Sequence, residues 1–130
     1  MRLRLAVLSA AALAFPLAAA AAPPFRATLK VPTHTPKVNA KWVYVVRATN
    51  RAGKPVKARI TTQIVDPIGG VHAVEFGCCK KKFVTNRLFK GVFRDYVEFP
   101  PESQGVRLTF RVIVKALGGK RVLTYWVKAR

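Results

Sequence analysis

Basic side chains at alternating positions are the first residues in this chain whose types and spacing could do chemistry. Lys57 and Arg59 alternate with apolar residues in one run, and Arg107, Arg111 and Lys115 do so in a later run. A period of two places such side chains on one face of a β-strand. Because Lys and Arg bind phosphate and carboxylate groups, a face that gathers them predicts the binding of a polyanion.

Two adjacent cysteines, Cys78 and Cys79, form a second group with chemical potential, and three lysines follow them directly. Neighbouring Cα atoms are about 3.8 Å apart, below the usual disulfide range, so a bond between the two cysteines would close a strained ring. An interchain bond, a vicinal disulfide and exposed thiols all remain open. The lysines would stabilise a thiolate, which gives an alternative function: a small metal-thiol or redox protein, with His72 or His34 helping. No CxxC spacing is present, so we expect no metal and no other cofactor.

Residues suited to catalysis are few. After residue 22 the chain contains one serine, Ser103, in a proline-rich loop, and two histidines that are far apart in sequence. Asp95 and Glu98 are three positions apart on one predicted strand, so they point to opposite faces and cannot act as a carboxylate pair. We therefore expect a protein that is not an enzyme.

The first 22 residues predict the compartment. Two arginines precede the apolar run Leu5–Phe15, and Ala18–Ala22 offers several A-x-A cleavage frames. This order predicts a secretory signal peptide over residues 1–21, followed by a single domain over residues 22–130. An uncleaved membrane anchor is the alternative, although the apolar run is barely long enough to span a bilayer.

Export and charge together indicate the class of partner. Removing Arg2 and Arg4 with the leader leaves 22 basic residues against five acidic ones, a net charge of +17. Such a charge attracts polyanions. Nucleic acid is disfavoured because the chain has no nucleic-acid motif and is expected outside the cell. Anionic cell-envelope polymers, acidic polysaccharide or anionic lipid headgroups better suit a secreted or envelope protein without a membrane span after cleavage. The sequence gives no oligomeric state.

Short strands must position these residues. Runs rich in β-formers are separated by Gly, Pro and Asn turns: Phe25–Val31, Trp42–Thr49, Val56–Val65, Val71–Phe76, Leu88–Phe99, Val106–Ala116 and Lys120–Val127. The pattern predicts an all-β, immunoglobulin-like β-sandwich of about seven antiparallel strands, with a closed barrel as the alternative. Gly118-Gly119 is expected to form the turn of the last hairpin.

The sandwich leaves two interpretations of the basic residues open. If the strands pair as in an immunoglobulin domain, the five residues from Lys57 to Lys115 named above share one outer face. Arg47, Lys90 and Arg94 are then expected on the opposite sheet, which would make both outer faces basic. One interpretation is a polyanion-binding face, and the other is a solvated cationic coat without a focused site. Parity also leaves open which of Tyr125 and Trp126 is buried.

One hairpin carries a family resemblance. Thr49–Ala58, which reads T-N-R-A-G-K-P-V-K-A, resembles the hairpin of bacterial Ig-like and macroglobulin-type domains, where a polar turn ending in Gly-x-Pro-Val joins two core strands. Phe89-x-Gly91-x-Phe93 and the closing Gly-Gly hairpin are also similar to small secreted Ig-like proteins of bacteria. The resemblance implies a sandwich fold and a surface or extracellular setting, and it implies no catalytic residues. The separated cysteine pair and the core tryptophan arrangement of antibody domains are missing.

The leader gives the first testable prediction. Because proline directly after the cut is disfavoured, we expect cleavage after Ala20 or Ala21, ahead of Pro23-Pro24. Intact-mass spectrometry of the exported protein should show a chain that starts at Ala21 or Ala22. An exported form that still carries Met1 would contradict the prediction.

Overall fold

The computed structural model describes residues 24–78 and 85–130, so the predicted leader lies outside it. Within these ranges the strands are β1 (Phe25–Lys30), β2 (Lys41–Asn50), β3 (Lys57–Val65), β4 (Val71–Ala73), β5 (Arg87–Lys90), β6 (Val92–Glu98), β7 (Arg107–Ala116) and β8 (Gly119–Lys128). A three-residue 3-10 helix, Pro101–Ser103, is the only helix in the same ranges. In this part of the chain no helix is long and apolar enough to cross a membrane.

The strands form two antiparallel sheets. One sheet has three strands in the order β1-β2-β6. The other has five, in the order β4-β3-β7-β8, and β5 also pairs with β3. β5 pairs with the first four residues of β3, and β4 pairs with the last three residues of β3. Both lie along one edge of β3, and β7 pairs with the other edge. The all-β prediction is confirmed, and two separate sheets are consistent with a β-sandwich rather than a closed barrel.

The core lies between the two sheets, because each contributes one apolar face. Alternate residues of β2, β3 and β7 are buried, as the period-two pattern predicts. Aromatic rings join the sheets: Phe110 of β7 packs edge-on against Trp42 of β2, with the ring centroids 5.3 Å apart, and lies 4.9 Å from the ring of Tyr44. Such pairs contribute about 0.5–1.5 kcal/mol each beyond the area that they bury.

The last strand places its two aromatic residues on opposite faces. Tyr125 is partly buried and packs against the core, whereas Trp126 is 39% exposed. The guanidinium carbon of Arg107, which is outward on β7, lies 4.6 Å from the centre of the Trp126 ring. The His34 ring stacks at 3.9 Å on both Tyr125 and Trp126. Trp126 therefore belongs to the outer face of the five-stranded sheet.

The prediction of one continuous strand over Leu88–Phe99 is wrong. The chain breaks at Gly91 into β5 and β6, which belong to different sheets. Gly91 has a φ of +71°, and its N–H donates to the carbonyl of Val56 while its own carbonyl accepts from the Ala48 N–H. The crossing also moves Lys90, which lies opposite Lys57 on the five-stranded sheet instead of on the three-stranded one.

The turn of the last hairpin is shifted by one residue from the prediction. Ala116 pairs with Gly119, so the two turn residues are Leu117 and Gly118, with φ of +48° and +74°. Gly119 is already part of β8, where an added Cβ would lie 2.9 Å from Pro24. Close packing, rather than positive φ, explains the second glycine.

Replacing Gly91 tests the crossing between the sheets. An alanine there would adopt a left-handed backbone, at a cost of about 1–2 kcal/mol, and its Cβ would also lie 2.5 Å from the Cβ of Pro55. Gly53 is the matched control, since its φ is +80° but an added Cβ would meet nothing within 4 Å. Chemical denaturation should show a larger loss of unfolding free energy for Gly91→Ala than for Gly53→Ala. Equal losses would show that the contact with Pro55 is unimportant.

Candidate functional site

The five predicted polyanion-binding residues all belong to the five-stranded sheet, but the structure does not bring them together. Arg107 begins β7, Arg111 lies at its middle and Lys115 near its end. At about 3.3 Å per residue, Arg107 and Lys115 are about 26 Å apart. Arg111 Nε donates to Gln63 Oε1 at 2.9 Å, and Arg107 lies over Trp126. Arg59 also has a local partner, because its Nη1 donates to the Asn86 carbonyl at 3.1 Å.

The other three predicted residues lie together at one end of the sheet. Arg59 is directly opposite Lys115, and Lys115 is directly opposite Lys120, so three cations form one row across β3, β7 and β8. Lys57 and Lys90 lie opposite each other in the next row. Directly opposite side chains share a face and have Cβ atoms about 4.5–5.5 Å apart. We call these five residues, Lys57, Arg59, Lys90, Lys115 and Lys120, the basic end.

A groove of about 580 Å³ runs along the basic end. Its lining comes from the start of β3, β5 and the β7–β8 hairpin: Lys57, Ala58, Arg59, Leu88, Lys115, Ala116, Leu117, Gly118, Gly119 and Lys120. Four of these residues are cationic and none is acidic. The groove can therefore receive several negative groups of one molecule at once.

The acidic residues of the chain lie away from the basic end. Asp66, Glu75 and Glu98 line a second cavity of about 520 Å³, together with apolar and aromatic side chains. Glu102 is in the 3-10 helix next to that cavity, and Asp95 is buried in β6. All five acidic residues of the sequence are thereby accounted for. Negative charge is consequently kept away from the basic end, a feature that the sequence pattern does not indicate.

Asp66 has the turn role that is ordinary for its position. Its Oδ1 accepts hydrogen bonds from the N–H groups of Ile68 and Gly70, and its Oδ2 lies 2.9 Å from His72 Nε2. The hydrogen bond from His72, followed by that from Gly70, lowers the pKa of this carboxyl below its ordinary value of 3.8. These contacts stabilise the β3–β4 hairpin. They also occupy Nε2 of His72, one of the two histidines expected to assist the cysteines in the metal-thiol alternative.

A buried polar contact fixes the segment that leads to the cysteines. Asp95 is 4% exposed, and its Oδ2 accepts from the Tyr44 hydroxyl at 3.4 Å and from the Gly77 N–H at 3.1 Å. Burial, and then the charge of Asp95, raise the pKa of Tyr44. The Tyr96 hydroxyl donates to the carbonyl of Gly77 at 3.1 Å, so Gly77 is held from both sides. Asp95 and Glu98 point to opposite faces, as predicted.

The residues proposed for metal or redox chemistry are only partly described. Cys78 is disulfide-bonded, whereas Cys79 and the three lysines after it lie outside the described residues. Within residues 24–78 and 85–130, no group of three or more His, Cys, Asp or Glu side chains could hold a metal ion. His34 Nδ1 lies 2.7 Å from the Trp126 carbonyl, at the edge of β8. The metal-thiol alternative stays a prediction.

Ser103 lines the second cavity with His72, but its hydroxyl has another partner. The Oγ atom donates to the carbonyl of Pro100 at 2.7 Å, within the turn that contains the 3-10 helix, and the residue is buried. His72 Nε2 faces Asp66 rather than an activated hydroxyl. This arrangement explains the serine as a turn residue.

The sequence pattern does not place two cations at the basic end, Lys90 and Lys120, and it does not indicate the two leucines of the groove, Leu88 and Leu117. A continuous strand over Leu88–Phe99 makes Gly91 an interior residue and therefore places Lys90 on the wrong sheet. A Gly118-Gly119 turn would have placed Val122, not Lys120, opposite Lys115. The usable signal was Gly91 itself, since glycine inside a strand pattern often marks a bend or a bulge.

Comparisons with known proteins leave the family open. No family model matches the chain, and no curated protein matches it. Among solved structures, it is similar to the crystal structure of a DUF4466 family protein from Parabacteroides merdae, with 15% sequence identity and a TM-score of 0.43. The match covers 81% of this chain and 43% of that chain, so this chain spans less than half of that protein's length. Membership of the bacterial Ig-like or macroglobulin-type domains stays a prediction.

Proposed function

We propose that this protein is an exported, non-catalytic, Ig-like module that binds anionic polymers of the cell envelope through its basic end. One observation carries the proposal: five cations occupy two neighbouring rows at one end of a sheet, while the acidic residues lie elsewhere. Arg107 and Lys128 also lie directly opposite each other at the far end of the sheet, but acidic residues lie near that end as well. The groove beside the rows gives the anion a place to lie.

The strand order supports the Ig-like part of the proposal. In an immunoglobulin sandwich, strands A, B and E share one sheet and strands C, F and G share the other. Here β1, β2 and β6 correspond to strands A, B and E, and β3, β7 and β8 correspond to strands C, F and G. β5 departs from the constant-type pattern, because it pairs with β3 instead of joining the sheet of β1 and β2.

The arrangement of like charges also supports a role in binding. Like charges directly opposite each other destabilise a sheet, and Lys115 has a cation on each side, in Arg59 and Lys120. Salt screens charges over about 8 Å at physiological ionic strength, so the close spacing lets these residues act together. Arg107, about 26 Å along the strand from Lys115, cannot join them.

Repulsion among Arg59, Lys115 and Lys120 predicts that replacing Lys115 changes the stability of the protein. Lys115→Thr should raise the melting temperature at low salt, because it removes two like-charge contacts of about 0.2–1 kcal/mol each. Lys41, which lies opposite Glu98, is the control, and Lys41→Thr should lower the melting temperature at low salt. Both electrostatic differences should shrink at high salt, as thermal denaturation would show. A gain for Lys115→Thr that is independent of salt would contradict the electrostatic explanation.

Charge reversal tests the binding site directly. Lys57→Glu with Lys115→Glu should weaken binding to soluble polygalacturonate or polyphosphate, because it places negative charge in the groove. Lys37→Glu with Lys128→Glu changes the net charge equally at the opposite end of the molecule and is the matched control. The affinity of the unaltered protein should fall steeply with salt, and the first pair should flatten that slope more than the second.

Calorimetric titration at several salt concentrations distinguishes the outcomes. A focused site is supported if the loss of affinity in the Lys57/Lys115 double variant is at least about tenfold greater than in the Lys37/Lys128 control. Equal losses would mean a diffuse coat, and no salt-dependent binding of either polymer would remove the proposed function. Melting temperatures of both double variants show whether each remains folded.

A further inference from the structure

Two exposed leucines lie beside the cations of the basic end. Leu88 is 59% exposed and lies directly opposite Arg59, in the same row as Lys115 and Lys120. Leu117 is 57% exposed and occupies the β7–β8 turn. Both line the groove. Neither the core nor the binding of a water-soluble polyanion requires large apolar side chains at these positions.

Leu117 is also an unfavourable residue for its backbone. Its φ is +48° and that of Gly118 is +74°, the pair of left-handed conformations that a two-residue hairpin turn uses. Asn, Asp and Gly adopt the first of these positions readily, whereas a leucine there is strained. The turn would thus be more stable with a small polar residue. A strained, exposed leucine beside five cations points to a role outside the fold.

Resting on the proposed function, we propose that the basic end also binds an anionic lipid surface. The five cations would lie on the phosphate headgroups, while Leu88 and Leu117 enter the boundary of the acyl chains. Electrostatic attraction to anionic lipid and burial of apolar side chains reinforce each other, and surface association commonly needs both. The second cavity, with Asp66 and its other carboxylates, is remote from the basic end and would face away from the negative surface.

Vesicle binding tests the role of the leucines. The mature protein should sediment with phosphatidylcholine vesicles that contain phosphatidylglycerol and should not sediment with pure phosphatidylcholine. Leu88→Thr with Leu117→Asn should weaken the binding to phosphatidylglycerol vesicles by about tenfold, because two apolar side chains no longer leave water. The same double variant should lose much less affinity for soluble polyphosphate, since no charge changes.

Val122→Thr is the control, because Val122 is 50% exposed on the same sheet face but does not line the groove. It should bind phosphatidylglycerol vesicles as the unaltered protein does. Asn suits a left-handed backbone, so the melting temperature of the double variant should be kept. Undiminished vesicle binding by the double variant, or an equal loss for vesicles and polyphosphate, would overturn the lipid inference and leave the proposed function standing. Binding of neither partner by the unaltered protein would overturn both.

Discussion

The structure depends on the contact between two apolar faces, centred on Phe110 of β7 between Trp42 and Tyr44 of β2. Once these rings are buried, every second residue of β7 must point into the core and the others must point outward. Truncating such an aromatic residue costs about 3–5 kcal/mol, a large part of the stability of a small domain. The core therefore determines which side of each strand presents its charges.

Antiparallel pairing then determines which of the outward-facing charges lie next to each other. Residues distant in sequence, such as Arg59, Lys115 and Lys120, become neighbours in one row because β7 pairs with both β3 and β8. The chain crossing at Gly91 adds Lys90 to the next row. The acidic side chains of Asp66 and Glu98 line a cavity elsewhere. One end of the five-stranded sheet thus has five neighbouring cations and no acidic residue, and this arrangement supports a directed contact with an anionic surface.

Much of the fold could be predicted from residue patterns, because burial of one face imposes a period of two. Alternate residues of β2 and β3 are buried, and β3, β7 and β8 share a sheet as expected. The crossing at Gly91 could not be predicted in this way, since Leu88–Phe99 keeps its alternation through the break. Its physical cause is a positive φ and two backbone hydrogen bonds, one to β2 and one to Val56. Neither the positive φ nor the hydrogen bonds change the alternation of apolar and polar residues in the sequence.

The candidate site could be predicted in composition but not in position. Parity identified Lys57, Arg59 and Lys115 as outward-facing, but strand register decides which cations lie side by side. A chemical-shift titration of the isotope-labelled protein with short polyphosphate is the most direct measurement of the central claim. The amide shifts should concentrate at β5, the start of β3 and the β7–β8 hairpin, and they should be small at Arg107, Lys128 and Lys37. Shifts of equal size at both ends of the sheet would contradict the account.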